Sequence, residues 1–189
     1  MQTSGQHKPV RVYVGVGSNI DAVHEITAGL EQLALRFGAL QISPAYRSAA
    51  VGFAGPPFIN LVVGFDTSLP LDSLVASLRQ IEQQRDKKTI RPRFSSRRLD
   101  LDLLLYGELC DARQGLELPR SDITRYAHVA RPLADIAGPR RHPVLKLTFE
   151  EISLHLAPRQ QLEPVSLADL NRDSDPAFAR HDAAVITTI

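Results

Sequence analysis

The sequence of 189 residues contains no tryptophan, one methionine and a single cysteine, Cys110. One cysteine excludes an internal disulfide framework and fits a reducing compartment. No stretch approaches the length of a membrane span, and the opening MQTSGQHKPV has no apolar run of the kind that directs secretion. An excess of charge of either sign is also missing, since 22 Lys and Arg stand against 21 Asp and Glu. Such a balance gives no dominant field for nucleic acid or an anionic membrane. The expected protein is cytoplasmic, a monomer or weak dimer, with neither nucleic acid nor membrane as a partner. With 43% hydrophobic residues, the chain is long enough to build one ordinary domain around its own core.

What is present is periodicity. Residues 10–18, VRVYVGVGS, alternate apolar and other side chains and predict a strand. From Ala22 to Phe37, Leu30, Leu33, Ala34 and Phe37 recur at helical spacing, with Asn19 and Asp21 as candidate caps and Gly38 as the stop. A second strand is expected over 39–48, where Pro44 marks an edge position or a bulge, and a third over Phe58–Thr67. Leu71, Leu74, Val75, Leu78 and Ile81 define an amphipathic helix starting near Pro70. A fourth strand runs from Leu99 to Tyr106. The order β-α-β-β-α-β over residues 10–106 predicts an α+β, ferredoxin-like core, with helices packed on a mainly antiparallel sheet. Beyond it the elements are short and proline-punctuated, with a last helix around Phe149–Leu156. The expected division is one domain over 1–157 and a loosely packed or disordered tail over 158–189.

The fourth strand holds a conflict, because RRLDLDLLLYG places Asp100 and Asp102 inside a leucine run. Alternation puts both carboxylates on one face, with Leu99, Leu101, Leu103 and Leu105 on the other. Two carboxylates a pleat repeat apart, roughly 6.5–7 Å, repel each other. A hard divalent cation such as Mg²⁺ would relieve that repulsion and complete its shell with phosphate oxygens. Arginines such as Arg97 or Arg98 would relieve it without a metal, and both readings stand at this point. Just upstream, Arg85, Lys87, Lys88, Arg91, Arg93, Arg97 and Arg98 are opposed only by Asp86. Such a run is ordinarily solvated surface, but beside an acidic pair it is also what polyphosphate binding needs. Phe94 within it either stacks on a ring or anchors the loop.

Arg79 and Glu82, one turn apart, form a surface ion pair or reach a base or ribose. Phe58 and Asn60 share a strand face and either hold a flat heterocycle or serve the core. The segment VGVGSN lacks both the Walker lysine and the GxGxxG spacing, which excludes a P-loop or dinucleotide fold. The histidines show no metal-ligand spacing.

Seven segments then form one pattern: YVGVGSN (13–19), AYRS (45–48), PPFIN (56–60), QIEQQ (80–84), RRLDLDLLLYGE (97–108), LELP (116–119) and RPLADIAGP (131–139). Together, over about residues 10–156, they resemble the 6-hydroxymethyl-7,8-dihydropterin pyrophosphokinase family of folate biosynthesis. The resemblance implies transfer of the pyrophosphoryl group of ATP to the pterin hydroxymethyl oxygen, with release of AMP. It implies ATP as co-substrate and two Mg²⁺ ions on Asp100 and Asp102. It assigns Arg97 and Lys87 to catalysis, and Arg79, Glu82, Arg93, Arg97 and Arg120 to the nucleotide. Ser48, Val51, Phe58, Asn60, Phe94 and His128 fall to the pterin.

The chain also departs from the family pattern. GRxR becomes DKKT, so Lys87 replaces an arginine and its fixed fork. The loop tryptophan becomes Phe94. PHxxxxxR becomes PRSDITRY, with Arg120 at the histidine position and Arg125 one residue out of register, and His128 stands where an aromatic stacks on pterin. Two alternatives follow: a divergent paralogue binding ATP and a modified pterin with slow turnover, or a ferredoxin-like RNA-binding module, which would carry aromatics rather than acids on its sheet face.

Overall fold

Val12, Val14 and Val16 alternate along the first strand, β1 (Val10–Ser18), and all three are buried. Their branched side chains suit a pleated surface covered on one side. The computed structural model describes residues 8–85, 95–113 and 115–168. After β1 come α1 (Ala22–Phe37), β2 (Gln41–Ile42), β3 (Ala45–Ser48), β4 (Phe58–Thr67), α2 (Leu71–Arg85) and β5 (Asp100–Tyr106). The chain continues through β6 (Asp111–Arg113), β7 (Leu116–Leu118), α3 (Asp122–Arg125), α4 (Ala127–Ala137), α5 (Phe149–Leu156) and β8 (Glu163–Val165).

β1 lies between β4 and β5, antiparallel to both, while β3 pairs with β4 and β8 with β3. Counting β2 and β3 as one strand interrupted at Ser43–Pro44, the core order is fourth, first, third, second. That is the ferredoxin-like α+β arrangement expected from the alternation of elements. At the interruption Ser43 replaces lost ladder contacts: its amide donates to the Val62 carbonyl, and its hydroxyl accepts from the Val62 amide.

α1 spans the expected residues, and Gly38 ends it at φ 83°, its amide returning to the Ala34 carbonyl. Its start differs from expectation. Asp21 makes no side-chain cap, and Asn19 is engaged elsewhere, as described below. Its buried side consists of Glu25, Ile26, Gly29 and Leu33, while Ala34 is exposed.

One sheet face packs Val12, Val14, Val16, Ile59, Leu61, Val63 and Phe65 against Ile26 and Leu33 of α1 and Leu74, Leu78 and Ile81 of α2. The other packs Tyr13, Val62, Leu104 and Leu105 against Leu133 of α4 and Phe149 and Ile152 of α5. Leu105 is thus a correction to simple alternation. Tyr13 pairs with Leu105 but Val14 pairs with Leu103, so Leu104 is an extra residue in β5. This bulge turns Leu105 to the same core as Leu104, whereas Leu99, Leu101 and Leu103 belong to the α1–α2 core.

Two further differences lie in the second half. α4 was not expected, because Pro132 interrupts its sequence and removes one helical donor. Burial of Ala127, Ala130, Leu133 and Ala137 along one side outweighs that local penalty. The tail expected to be loose from Pro158 begins as structure: β8 pairs with β3, and Arg47 contacts Glu163 at 3.0 Å. Residues 169–189 lie outside the described residues. Among the described residues no helix is long and apolar enough to cross a membrane.

Candidate active site

Gly15 and Gly17 occupy the face of β1 opposite its buried valines and leave the sheet open there. A Cβ on Gly17 would stand 3.1 Å from Asn60 Oδ1, and one on Gly15 3.8 Å from Asp102 Cβ. α4 and α5 cover this face only in part, and the remainder is a cleft of about 440 Å³. Around it the structure brings together Ser48, Val51, Phe58, Asn60, Arg79, Glu82, Arg97, Asp100, Asp102, Arg120 and His128. Lys87, Arg93 and Phe94 lie outside the described residues. Arg125 is exposed and does not line the cleft.

Asp100 and Asp102 stand opposite Gly17 and Gly15 in the β1–β5 ladder. Their side chains keep 32% and 36% of their surface open to the cleft, so neither is sealed in the core. Each has an arginine: Arg97 Nε lies 3.7 Å from Asp100 Oδ1, and Arg120 Nη2 lies 2.9 Å from Asp102 Oδ1. Burial raises the pKa of both, and the Asp100 charge helps to lift Asp102 to about 7 even though Arg120 opposes the shift. The two arginines therefore leave the pair incompletely neutralised. Two hard oxygen donors, close together and costly to ionise, fit a divalent cation.

The basic run is opposed by more than Asp86. Glu25 of α1 is buried and accepts from Arg85 at 2.7 Å and from Arg98 at 2.9 Å, so one carboxylate holds residues on both sides of segment 86–97. Burial pushes this carboxyl up, but the two guanidiniums prevail and hold it below the usual range. Arg98 is accordingly directed to Glu25, and Arg120, distant in sequence, reaches Asp102. Asp21 and His24 lie close enough to Glu25 to suggest a cation site, but both Glu25 oxygens already have arginine partners.

Glu82 accepts a hydrogen bond from the Leu101 amide at 2.8 Å, on the strand between the two aspartates. Burial raises its pKa to about 7, the Leu101 bond opposes this, and the charges of Asp100 and Asp102 add to it.

Elsewhere in the cleft, Asn60 Nδ2 donates to Ser48 Oγ at 3.0 Å. Phe58 meets Phe53 edge-on at 6.3 Å, and His128 stacks on Tyr126 at 5.2 Å between ring centres. Burial drops the His128 pKa to about 4, so this ring is neutral at pH 7.

Several residues at the site escaped the sequence reading. Phe53 stands in a glycine- and proline-punctuated loop with no periodicity to reveal it. Tyr126 follows the off-register Arg125. Asp122 accepts from Arg120 Nε at 2.7 Å, a contact for which the R-x-D spacing was a usable signal. Asn19 donates to the Pro56 carbonyl (3.1 Å) and to Ser96 Oγ (3.2 Å), and accepts from the Arg97 amide (2.8 Å). It thus ties the loop on the Phe58 side to the segment leading into β5. Two segments of the family pattern also form a latch: Tyr46 of AYRS donates to Asp135 of RPLADIAGP at 2.7 Å, with Arg131 on both.

Comparison with known proteins bears on the family of the chain. A family model described as 7,8-dihydro-6-hydroxymethylpterin-pyrophosphokinase (HPPK) matches residues 13–138. A Pseudomonas aeruginosa protein named 2-amino-4-hydroxy-6-hydroxymethyldihydropteridine pyrophosphokinase is 40% identical over 144 residues, covering 70% of this chain and 84% of that protein. The Aquifex aeolicus protein of the same name is 28% identical over 155 residues, covering 81% and 94%. The crystal structure of wild-type Plasmodium falciparum HPPK-DHPS with pterin and p-hydroxybenzoate superposes with a TM-score of 0.64 at 14% identity, over 82% of this chain. The present chain spans 44% of that longer one, and the likeness supports the fold. On the extent of the family match and the identity to its curated members, the chain belongs to the 7,8-dihydro-6-hydroxymethylpterin-pyrophosphokinase family.

Proposed function

We propose that the cleft transfers the pyrophosphoryl group of ATP to the hydroxymethyl oxygen of 6-hydroxymethyl-7,8-dihydropterin, with Asp100 and Asp102 holding two Mg²⁺ ions. The observation that carries this reading is the lining of one cleft, which brings paired acids and arginines together with aromatic rings and an amide. In the reaction the hydroxymethyl oxygen forms a bond to the β-phosphorus of ATP. The bond from that phosphorus to the α,β-bridging oxygen breaks, AMP leaves, and the hydroxyl proton passes to solvent. No protein nucleophile is needed, because positioning and charge neutralisation supply most of the acceleration in such transfers. When bound, the metal neutralises phosphate charge and acidifies the attacking hydroxyl.

The chain's own residues account for the rest. Arg97 and Arg120 border the aspartates and supply permanent positive charge to the phosphate chain. Lys87 and Arg93 are proposed to add to it, as the resemblance implies. Arg79 and Glu82 line the cleft beside α2 and take the nucleoside end. Because Asn60 donates its amide hydrogen to Ser48, its Oδ1 is the atom nearest the open floor above Gly17, an acceptor for the donor edge of a pterin. Phe58 and the neutral ring of His128 offer flat surfaces, Val51 lines the same cleft, and Phe94 is assigned to the pterin on the resemblance alone.

The test is direct. With ATP, Mg²⁺ and 6-hydroxymethyl-7,8-dihydropterin, the protein should release one AMP for each pterin pyrophosphorylated. Tight ATP binding without AMP would overturn this reading and favour a paralogue acting on a modified pterin.

A further inference from the structure

We propose that Arg120 is a displaceable internal counter-ion: it occupies Asp102 until a divalent cation arrives together with a phosphate chain, and Asp122 retains it between the two states. The inference rests on the reading of Asp100 and Asp102 as cation ligands.

Three contacts define the device. The Arg120 amide donates to the Leu104 carbonyl at 3.0 Å, which fixes its backbone against β5 just beyond Asp102. Its Nε lies 2.7 Å from Asp122 Oδ2, and its Nη2 lies 2.9 Å from Asp102 Oδ1. The guanidinium thus uses separate nitrogens for the two carboxylates. Its terminal nitrogens can leave Asp102 while Nε stays on Asp122. With 35% of its side chain exposed, and exposed towards the cleft, it has room to turn.

Asp100 is held less closely, since its arginine stands at 3.7 Å. The two acids therefore differ in availability. A cation approaching Asp100 finds a loosely paired carboxylate, whereas one approaching Asp102 meets a guanidinium already in place. Two positive charges cannot share that carboxylate cheaply at this range. A phosphate chain changes the balance, because a planar guanidinium removed from a carboxylate finds an equivalent partner in a phosphate. Metal and nucleotide then assist each other by the same factor, as linkage requires. Free metal alone binds weakly.

The experiment titrates Mn²⁺, detected by electron paramagnetic resonance, with and without saturating α,β-methylene ATP, whose α,β-linkage cannot be cleaved. Full-length wild type, Arg120→Ala, Arg120→Lys and Asp122→Asn are compared, each checked for folding by circular dichroism. Arg120→Ala should bind free Mn²⁺ about tenfold more tightly or better, while the gain conferred by the nucleotide analogue shrinks. Asp122→Asn should do the reverse, leaving the guanidinium wholly to Asp102 and weakening free Mn²⁺ binding. Arg120→Lys cannot span both carboxylates and should fall between wild type and Arg120→Ala, which covers a failure of the alanine variant to fold. Unchanged or weaker Mn²⁺ binding in folded Arg120→Ala or Arg120→Lys, with wild type still binding metal and analogue together, would overturn the counter-ion role alone. Failure of wild type to bind Mn²⁺ even with the analogue would overturn the metal reading and this inference with it.

Discussion

Glu82 and the Leu101 amide are joined by a 2.8 Å hydrogen bond, which fastens the last turns of α2 to β5 at the residue between the two aspartates. The acceptor is a carboxyl whose pKa stands near 7 rather than 4.5, raised first by burial. A carboxyl raised in the folded state favours folding most fully below its unfolded value and loses that contribution as pH climbs through about 7. Glu82→Gln keeps the acceptor but cannot ionise. Measured by urea unfolding in chelator, it should gain on wild type between pH 5 and pH 8 by on the order of 1–3 kcal/mol. A stability difference that does not vary with pH would contradict this account.

The aspartates should separate activity from stability. Asp100→Asn and Asp102→Asn are each expected to lower AMP release by about two to three orders of magnitude. The metal-free variants should melt no lower than wild type at pH 8, because both carboxyls are raised and hence costly to ionise. Unfolding of either variant in calorimetry would make the pair structural.

His128 gives a pH dependence of opposite sign. Its folded pKa of about 4 lies below the ordinary 6.5, so the unfolded chain takes up its proton first. Its contribution to stability is present above pH 6.5 and is lost as pH falls towards 4. Wild type should therefore lose stability relative to His128→Gln over that interval. Histidine resonances followed by NMR provide the direct check: the ring signal that disappears in His128→Gln should stay neutral at pH 5.5 in wild type.

Glu25→Gln removes a buried charge from between two guanidiniums. Breaking such an arrangement from one side is expected to destabilise the fold by about 3 kcal/mol, read as a lower urea midpoint with unchanged slope. Loss of activity at 25 °C without loss of stability would show instead that Glu25 acts on the cleft.

Much of this was legible in the chain because local and global signals agree. The valines of β1, the 3- and 4-residue spacing of α2 and the position of Gly38 each have a single physical solution. The pairing of Asp100 with Asp102 on one face followed from the pleat alone. What was hidden depends on contacts distant in sequence. Leu105 changes face because β1 and β5 slip by one residue, which alternation within β5 cannot reveal. α4 forms through burial against the sheet despite Pro132. Asn19, read as a helix cap, spends its amide on Pro56, Ser96 and Arg97, partners that adjoin it only once the sheet has formed. Arg120 reaches Asp102 for the same reason.

The double grip of Glu25 also bears on how this protein can change through descent. Arg85 ends α2 and Arg98 stands two residues before β5, and one helix side chain secures both. Glu25 holds the residues flanking segment 86–97 from outside it, and within it Ser96 and Arg97 are tied to Asn19 while Arg97 faces Asp100. The departures from the family pattern at DKKT and Phe94 fall between those two arginines. Variation between the two arginines leaves the Glu25 grip itself unchanged, so the acidic pair can keep its address while substrate handling is retuned.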